Sequence, residues 1–163
     1  MDRIWSPWRA KYVTESVQKD SNFVFLRMAE EDKDEENLIL WRGTHVFIVL
    51  NLFPYNNGHL LIVPYRKVEH YIDLSAEEQC EIASALDRSI RWLDKALKPE
   101  GYNIGLNLGI AGGAGIPKHL HVHVVPRWSA DTNFMSSTAQ TRVIPEALHD
   151  TYRRIRTAIS AEE

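Results

Sequence analysis

The chain predicts an α+β fold: an antiparallel β-sheet with one long helix packed on it and a second helix near the C-terminus. Three observations carry this. Short apolar runs separated by Asn, Gly and Pro clusters mark early strands. A Ser-x-x-Glu pattern at Ser75 and Glu78 opens a segment with apolar residues every three or four positions. A last periodic segment follows Pro145. Strands grouped around a single long helix, without strict strand–helix alternation, favour an α+β arrangement.

Taken in order, residues 1–20 form an aromatic and basic arm carrying Trp5, Trp8, Arg9 and Tyr12. Exposed tryptophans are unfavourable, so the arm is expected to pack on the body of the domain or on a partner subunit. The acidic run Glu30 to Glu36 reads as a solvated loop. Leu38 to Trp41 and Val46 to Leu50 read as strands. The turn-rich segment Asn51 to Gly58 then leads into a third, His59 to Pro64. After Ser75, the residues Ile82, Leu86, Ile90, Leu93 and Leu97 are expected on one buried helix face, which Pro99 and Gly101 end. Tyr102 to Leu108 and His119 to Val125 read as two more strands. Leu148, Tyr152, Ile155 and Ile159 share a face of the last helix.

With 163 residues, 44% of them hydrophobic and 25% charged, the chain suits one domain with a full core. A net charge of −3 argues against coating nucleic acid, which needs a basic surface, but leaves room for a small anion at a local site. One cysteine, Cys80, permits neither an internal disulfide nor a thiolate metal cage, so a reducing, cytoplasmic setting is expected. Neither the start of the chain nor the run Val46 to Leu52 is long and apolar enough for a signal peptide or a membrane span.

The chemistry concentrates in His119-Leu120-His121-Val122-His123-Val124-Val125. On an extended strand the three histidines share one face roughly 6.5–7 Å apart, and Leu120, Val122 and Val124 take the other. The apolar face would anchor the segment and leave a row of imidazoles facing a cleft. An imidazole serves as nucleophile, base or acid near neutrality. Alternating histidines also suit zinc, and the triad alone leaves that reading open. The glycine-rich stretch Asn107 to Lys118 precedes it, with Gly113 and Gly115 able to bring backbone amides close to an anion. It fits neither a Walker A loop nor a dinucleotide fingerprint. A loop of this kind beside a histidine row points to a phosphate held against a nucleophile.

His119 to Val125 matches the H-φ-H-φ-H-φ-φ pattern (φ, apolar) of the histidine-triad (HIT) family. Leu50-Asn51 through Gly58 to Pro64 resembles that family's nucleotide-binding hairpin. Pro126 to Phe134 resembles the branch of bacterial diadenosine tetraphosphate phosphorylases and hydrolases, related to the fragile-histidine-triad proteins. The resemblance spans roughly residues 1–150. It implies a HIT-like fold in a single domain, 1–163, with an N-terminal arm at 1–20 and a C-terminal extension at 126–163. It also implies cleavage of dinucleoside polyphosphates through a covalent nucleotidyl-histidine.

In that scheme His121 attacks the α-phosphorus while a backbone carbonyl holds its other ring nitrogen. His123 assists the leaving oxygen by a proton or a hydrogen bond. His119 and His59 form a supporting pair, and Asn107 with the Gly113–Gly115 amides stabilises the phosphoryl oxygens. Asn51 binds the ribose, a role that competes with plain turn-making. Leu50, Phe53 or Ile48 would flank an adenine base. His45, His70 and His149 read as ordinary surface or satisfied residues. The resemblance further implies a homodimer with joined sheets, and Mg2+ only as a companion of the polyphosphate.

Two departures stand out. Many bacterial relatives carry a C-x-x-C zinc motif where this chain has Ser21-Asn22-Phe23-Val24-Phe25, so no structural zinc is expected and Phe23 and Phe25 would anchor the segment instead. Ala130 replaces a glycine common before Asp131. The second-step acceptor stays open between water, making a hydrolase, and inorganic phosphate, making a phosphorylase. A phosphoramidase preference is a further alternative. So is a nucleotide-binding signalling module with residual activity.

Overall fold

The computed structural model describes residues 23–129, 131 and 146–162. The expected arm with Trp5, Trp8, Arg9 and Tyr12, the Ala130 position, residues 132–134 and the Pro145 helix start lie outside the described residues.

Five antiparallel strands form one sheet in the order β1-β2-β3-β5-β4. They are β1 (Ile39–Arg42), β2 (Val46–Leu50), β3 (Leu60–Pro64), β4 (Gly101–Leu106) and β5 (Val122–Arg127). Helix α1 (Val24–Glu30) precedes them, α2 (Ala76–Leu97) lies between β3 and β4, and α3 (Leu148–Ser160) follows β5. This is the α+β arrangement that the apolar runs and the single capping box predict. Strands β2 and β3 are buried on both faces, which explains their unbroken apolar sequence. Helix α2 packs on β2, β3 and β5, and α3 packs on α2 and the β1 edge.

The α2 start behaves as its spacing predicts: the Glu78 amide donates to Ser75 Oγ at 3.2 Å, and the Ser75 amide donates to Glu78 Oε2 at 2.7 Å. The buried stripe is rotated from the expected one. Ala85, Ser89 and Trp92 join Ile82, Leu93 and Leu97 inside, whereas Leu86 and Ile90 are half-buried. Small residues let the helix approach the sheet, and Ser89 satisfies its own hydroxyl by donating to the Ala85 carbonyl at 2.8 Å.

Helix α1 was not legible in the sequence. Its exit is held by Arg42, whose guanidinium donates to the carbonyls of Ala29 (2.9 Å), Met28 (3.0 Å) and Glu31 (2.8 Å) and to Asp34 Oδ1. Glu30 closes α1, and the rest of the acidic run, to Glu36, is bend and turn, in keeping with the expected loop. Of the two expected anchors, Phe25 is buried and Phe23 is exposed, with Lys67 Nζ over its ring at 4.3 Å. The two sheet edges differ. On β1, the Ile39 carbonyl accepts from the Tyr152 hydroxyl and the Leu40 carbonyl from Arg156. On β4, Ile104 is exposed.

Candidate active site

Strand β5 begins later than the alternation suggested. His119 to His121 precede the ladder, and His123 is the triad histidine paired within it, opposite Leu61 and Gly105. The cause is local. The His119 amide donates to the Ile116 carbonyl, closing a turn behind Pro117, and the Leu120 amide donates to the Val68 carbonyl at 2.7 Å. His121 then folds its ring back so that Nδ1 lies 2.8 Å from the His119 carbonyl two residues earlier. The three imidazoles are therefore a cluster, not an evenly spaced row. The rings of His121 and His123 are 4.9 Å apart.

The cluster is enclosed. His59 and His119 have no exposed surface, and His121 and His123 keep only 7% and 8%. The Phe25 ring meets His119 edge-on and His121 at a tilt, each at 5.3 Å, and touches Phe47 at 6.5 Å. Burial pushes all four histidines toward the neutral form. His123 falls from 6.5 to about 4, chiefly by burial and then by the neighbouring His121. His59 falls to about 3, by burial and then by His123 and His121. His119 and His121 also lie below the usual imidazole value, mainly through burial.

The tautomers follow from partners that can only donate or only accept. The His119 carbonyl can only accept, so His121 carries its proton on Nδ1 and leaves the Nε2 lone pair free. The Tyr55 amide can only donate, and it reaches His59 Nδ1 at 3.0 Å, with Asn51 Nδ2 a second donor at 3.2 Å. His59 therefore holds its proton on Nε2 and donates it to His123 Nδ1 at 2.9 Å. His123 in turn is left with a proton on Nε2, facing the Asn107 amide at 3.3 Å. Asn107 Nδ2 is the atom placed there and it donates to the Tyr55 hydroxyl at 3.4 Å; with the amide turned over, Oδ1 takes this position and accepts from His123 Nε2. One backbone amide thus sets the donor that His123 presents.

The expected pairing of His59 with His119 is not what forms. His59 supports His123, and His119 Nε2 donates to the Pro64 carbonyl at 2.8 Å. Asn51 lies at the base of the site, tied to His59 and accepting from the Phe53 amide at 3.0 Å. Leu50 and Ile48 are wholly inside the core, so neither presents a wall for a base, while Phe53 is partly exposed. The glycine loop bends sharply. A β-carbon at Gly112 would lie 2.3 Å from the Leu108 carbonyl oxygen, and Gly113 has φ +84°. Its Gly113 amide donates to the Ile110 carbonyl and so is spent inside the loop. Gly115 sits in the same loop and is itself exposed. Among the described residues no three His, Cys, Asp or Glu side chains are disposed to hold one metal ion.

Two contributors, Tyr55 and Asn56, carried no sequence signal of their own, and Phe25, expected as a packing anchor, also covers the histidines. Buried Asn56 donates to the Pro126 carbonyl at 3.0 Å and to Asp131 Oδ2 at 2.7 Å, tying the 51–59 loop to the segment after the triad. Arg127 holds the same carboxylate at 2.6 Å. Gly58 permits the loop to close, since φ is +71° and a β-carbon would come within 2.3 Å of Leu97 Cδ1. The only available hint was the density of turn formers before His59.

Known proteins resemble this chain in sequence and in fold. The chain is 42% identical to the AP-4-A phosphorylase of Mycobacterium tuberculosis, over 96% of this chain and 84% of that protein. It is 33% identical to the asymmetrical bis(5'-nucleosyl)-tetraphosphatase of Schizosaccharomyces pombe, over 50% of this chain and 44% of that protein. A zinc-bound histidine triad family protein from Mycobacterium smegmatis has a similar fold, with a TM-score of 0.68 at 24% identity over 85% of this chain and 94% of that one. Residues 32–130 match the HIT domain, and with the buried histidine cluster built on β3 and β5 the chain belongs to the HIT family.

Proposed function

We propose that this protein cleaves dinucleoside polyphosphates at the α-phosphate through a nucleotidyl adduct on His121. The observation that carries this is the 2.8 Å contact of His121 Nδ1 with the His119 carbonyl, which places the ring proton on Nδ1 and leaves the Nε2 lone pair free. In the first step the Nε2 lone pair forms a bond to phosphorus, and the bond from phosphorus to the bridging oxygen breaks with its electron pair leaving on the polyphosphate. The ring becomes cationic, and its Nδ1–H bond to the carbonyl strengthens as it does. His123, neutral at pH 7, donates a hydrogen bond to the departing oxygen and keeps its proton; a nucleoside polyphosphate leaves as an anion and needs no more.

In the second step an acceptor attacks phosphorus and the P–N bond returns its electrons to Nε2. The reading takes inorganic phosphate as acceptor, supported by the name of the relative matched over nearly the whole chain. Water as acceptor would make a hydrolase. Incubation with diadenosine tetraphosphate separates the two. ADP plus ATP, formed only when phosphate is present, is the expected result. AMP plus ATP without phosphate would assign water, and no cleavage of any nucleotidyl substrate would defeat the enzymatic reading.

The same reading takes the protein as a cytoplasmic homodimer of single-domain subunits, with Mg2+ arriving on the polyphosphate and no resident zinc. Cys80 is exposed on α2. Arg42 and Phe25 supply the anchoring that a zinc clip would otherwise give. No described helix is long and apolar enough to cross a membrane. The exposed Ile104 on the β4 edge supports sheet joining between two copies. Light scattering at micromolar concentration is expected to give the dimer mass, and a monomer mass would remove this part.

A further inference from the structure

We infer that Tyr55 is a positioning residue of the reaction, whose ring covers the His59–His123 pair and keeps His123 as a hydrogen-bond donor on Nε2. The inference deepens the proposed function and rests on it for the role of His123. Its geometric basis is independent. The Tyr55 ring lies nearly parallel to His123, at 5.5 Å and 19°, and 4.7 Å from His59. Tyr55 is itself 43% exposed, whereas His59 and His123 are 0% and 8% exposed. The phenol ring is thus the layer between the two imidazoles and solvent.

A side chain in this place does two things. It excludes water, which would otherwise hydrate a charged imidazole and compete for the His59–His123 bond. It also fixes the plane of His123 by stacking, so that Nε2 stays aligned with Asn107. The loop is anchored independently of the ring, through Asn56, Asn51 and the Asn57 contact with Glu146 at 3.0 Å. Removing the ring therefore leaves the Tyr55 amide to hold His59.

The groups facing the pair come from several elements. His121, before β5, and Tyr55, from the loop, can titrate; Asn51 and Asn107 are polar and uncharged. Asp131, which binds the loop through Asn56, is already neutralised by Arg127. Water entry, more than a new charge, is what a smaller side chain would change.

The test follows the imidazole titrations by NMR in the intact protein and in Tyr55→Phe, Tyr55→Leu and Tyr55→Ala, beside the pH profile of cleavage. In Tyr55→Ala the His123 midpoint is expected to rise by more than one pH unit, and the acid limb of kcat to rise with it. Tyr55→Leu should fall between, and Tyr55→Phe should titrate like the parent. Should Tyr55→Ala not fold, the leucine variant decides by the same comparison. Parent-like titration in both smaller variants would overturn the inference, as would a shift in Tyr55→Phe as large as in alanine. The titrations need no substrate, so they stand apart from any failure of the proposed activity.

Discussion

Replacing His121 with asparagine is expected to lower kcat by at least about 10³-fold, because asparagine has no ring nitrogen able to form a displaceable bond to phosphorus. Nucleotide affinity should change far less. The groups around the position, among them Phe25, His123 and His119, are held by contacts of their own: Phe25 by Phe47, His123 by His59, and His119 by Ile116 and Pro64. Single-turnover measurements with diadenosine tetraphosphate, with acid-stable and acid-labile phosphate on the protein followed in parallel, check both points. The parent should accumulate an acid-labile adduct and the variant should not. Undiminished turnover would move the nucleophile elsewhere. A variant that binds nucleotide and keeps its cellular role without turnover would instead favour the signalling-module reading.

Acidification should destabilise the fold before carboxylates begin to protonate. His59 and His123 are held neutral in the folded protein, at about 3 and about 4 against 6.5 in an unfolded chain. Above pH 6.5 both states are neutral and these groups contribute no pH dependence. As pH falls below 6.5 the unfolded chain binds protons that the folded protein refuses, so stability drops until the folded histidines themselves titrate. The slope approaches about 1.4 kcal/mol per pH unit for each such histidine, which gives a loss on the order of a few kcal/mol between pH 6.5 and 4. Glu78 and Glu81 lie below their usual range, Glu78 through Arg66 and Glu81 through the amides of Thr44, His45 and Val46. Their contribution is lost only below about pH 4.5, so the interval from 6.5 to 5 isolates the histidines. Urea midpoints at half-unit intervals measure the effect. Constant midpoints over that interval would mean that the imidazoles are solvated in the folded protein.

Both expectations turn on burial, and burial is what local patterning conveyed least. The H-φ-H-φ-H-φ-φ segment named the candidate reacting residues but implied an open, evenly spaced row. In the folded protein the turn at Ile116–His119 delays the strand, and Phe25 and Tyr55 close over the imidazoles. Phe25 reads in the sequence as a packing anchor and not as a cover for the triad, which lies almost a hundred residues further on, and Tyr55 sits among turn formers. The choice of His59's partner was equally hidden. Spacing shows that two histidines exist, but the β3–β5 register decides that His59 meets His123 and that His119 turns to Pro64. The glycine loop shows the same limit. Its composition permits amides to face an anion, yet the Gly113 amide closes the loop on Ile110.

The sequence alone determined the α+β class, the capped helix from Ser75, the strands on either side of the 51–59 loop, and His121 as the candidate nucleophile. Each is a local matter of side-chain period, capping chemistry or motif, readable within a few residues. The tertiary structure alone decided which tautomer each imidazole adopts, how dry the cluster is, and that Tyr55 and Phe25 enclose it. Those properties arise from groups far apart in the chain brought within hydrogen-bond or ring-contact distance, and residue order carries no direct record of that proximity.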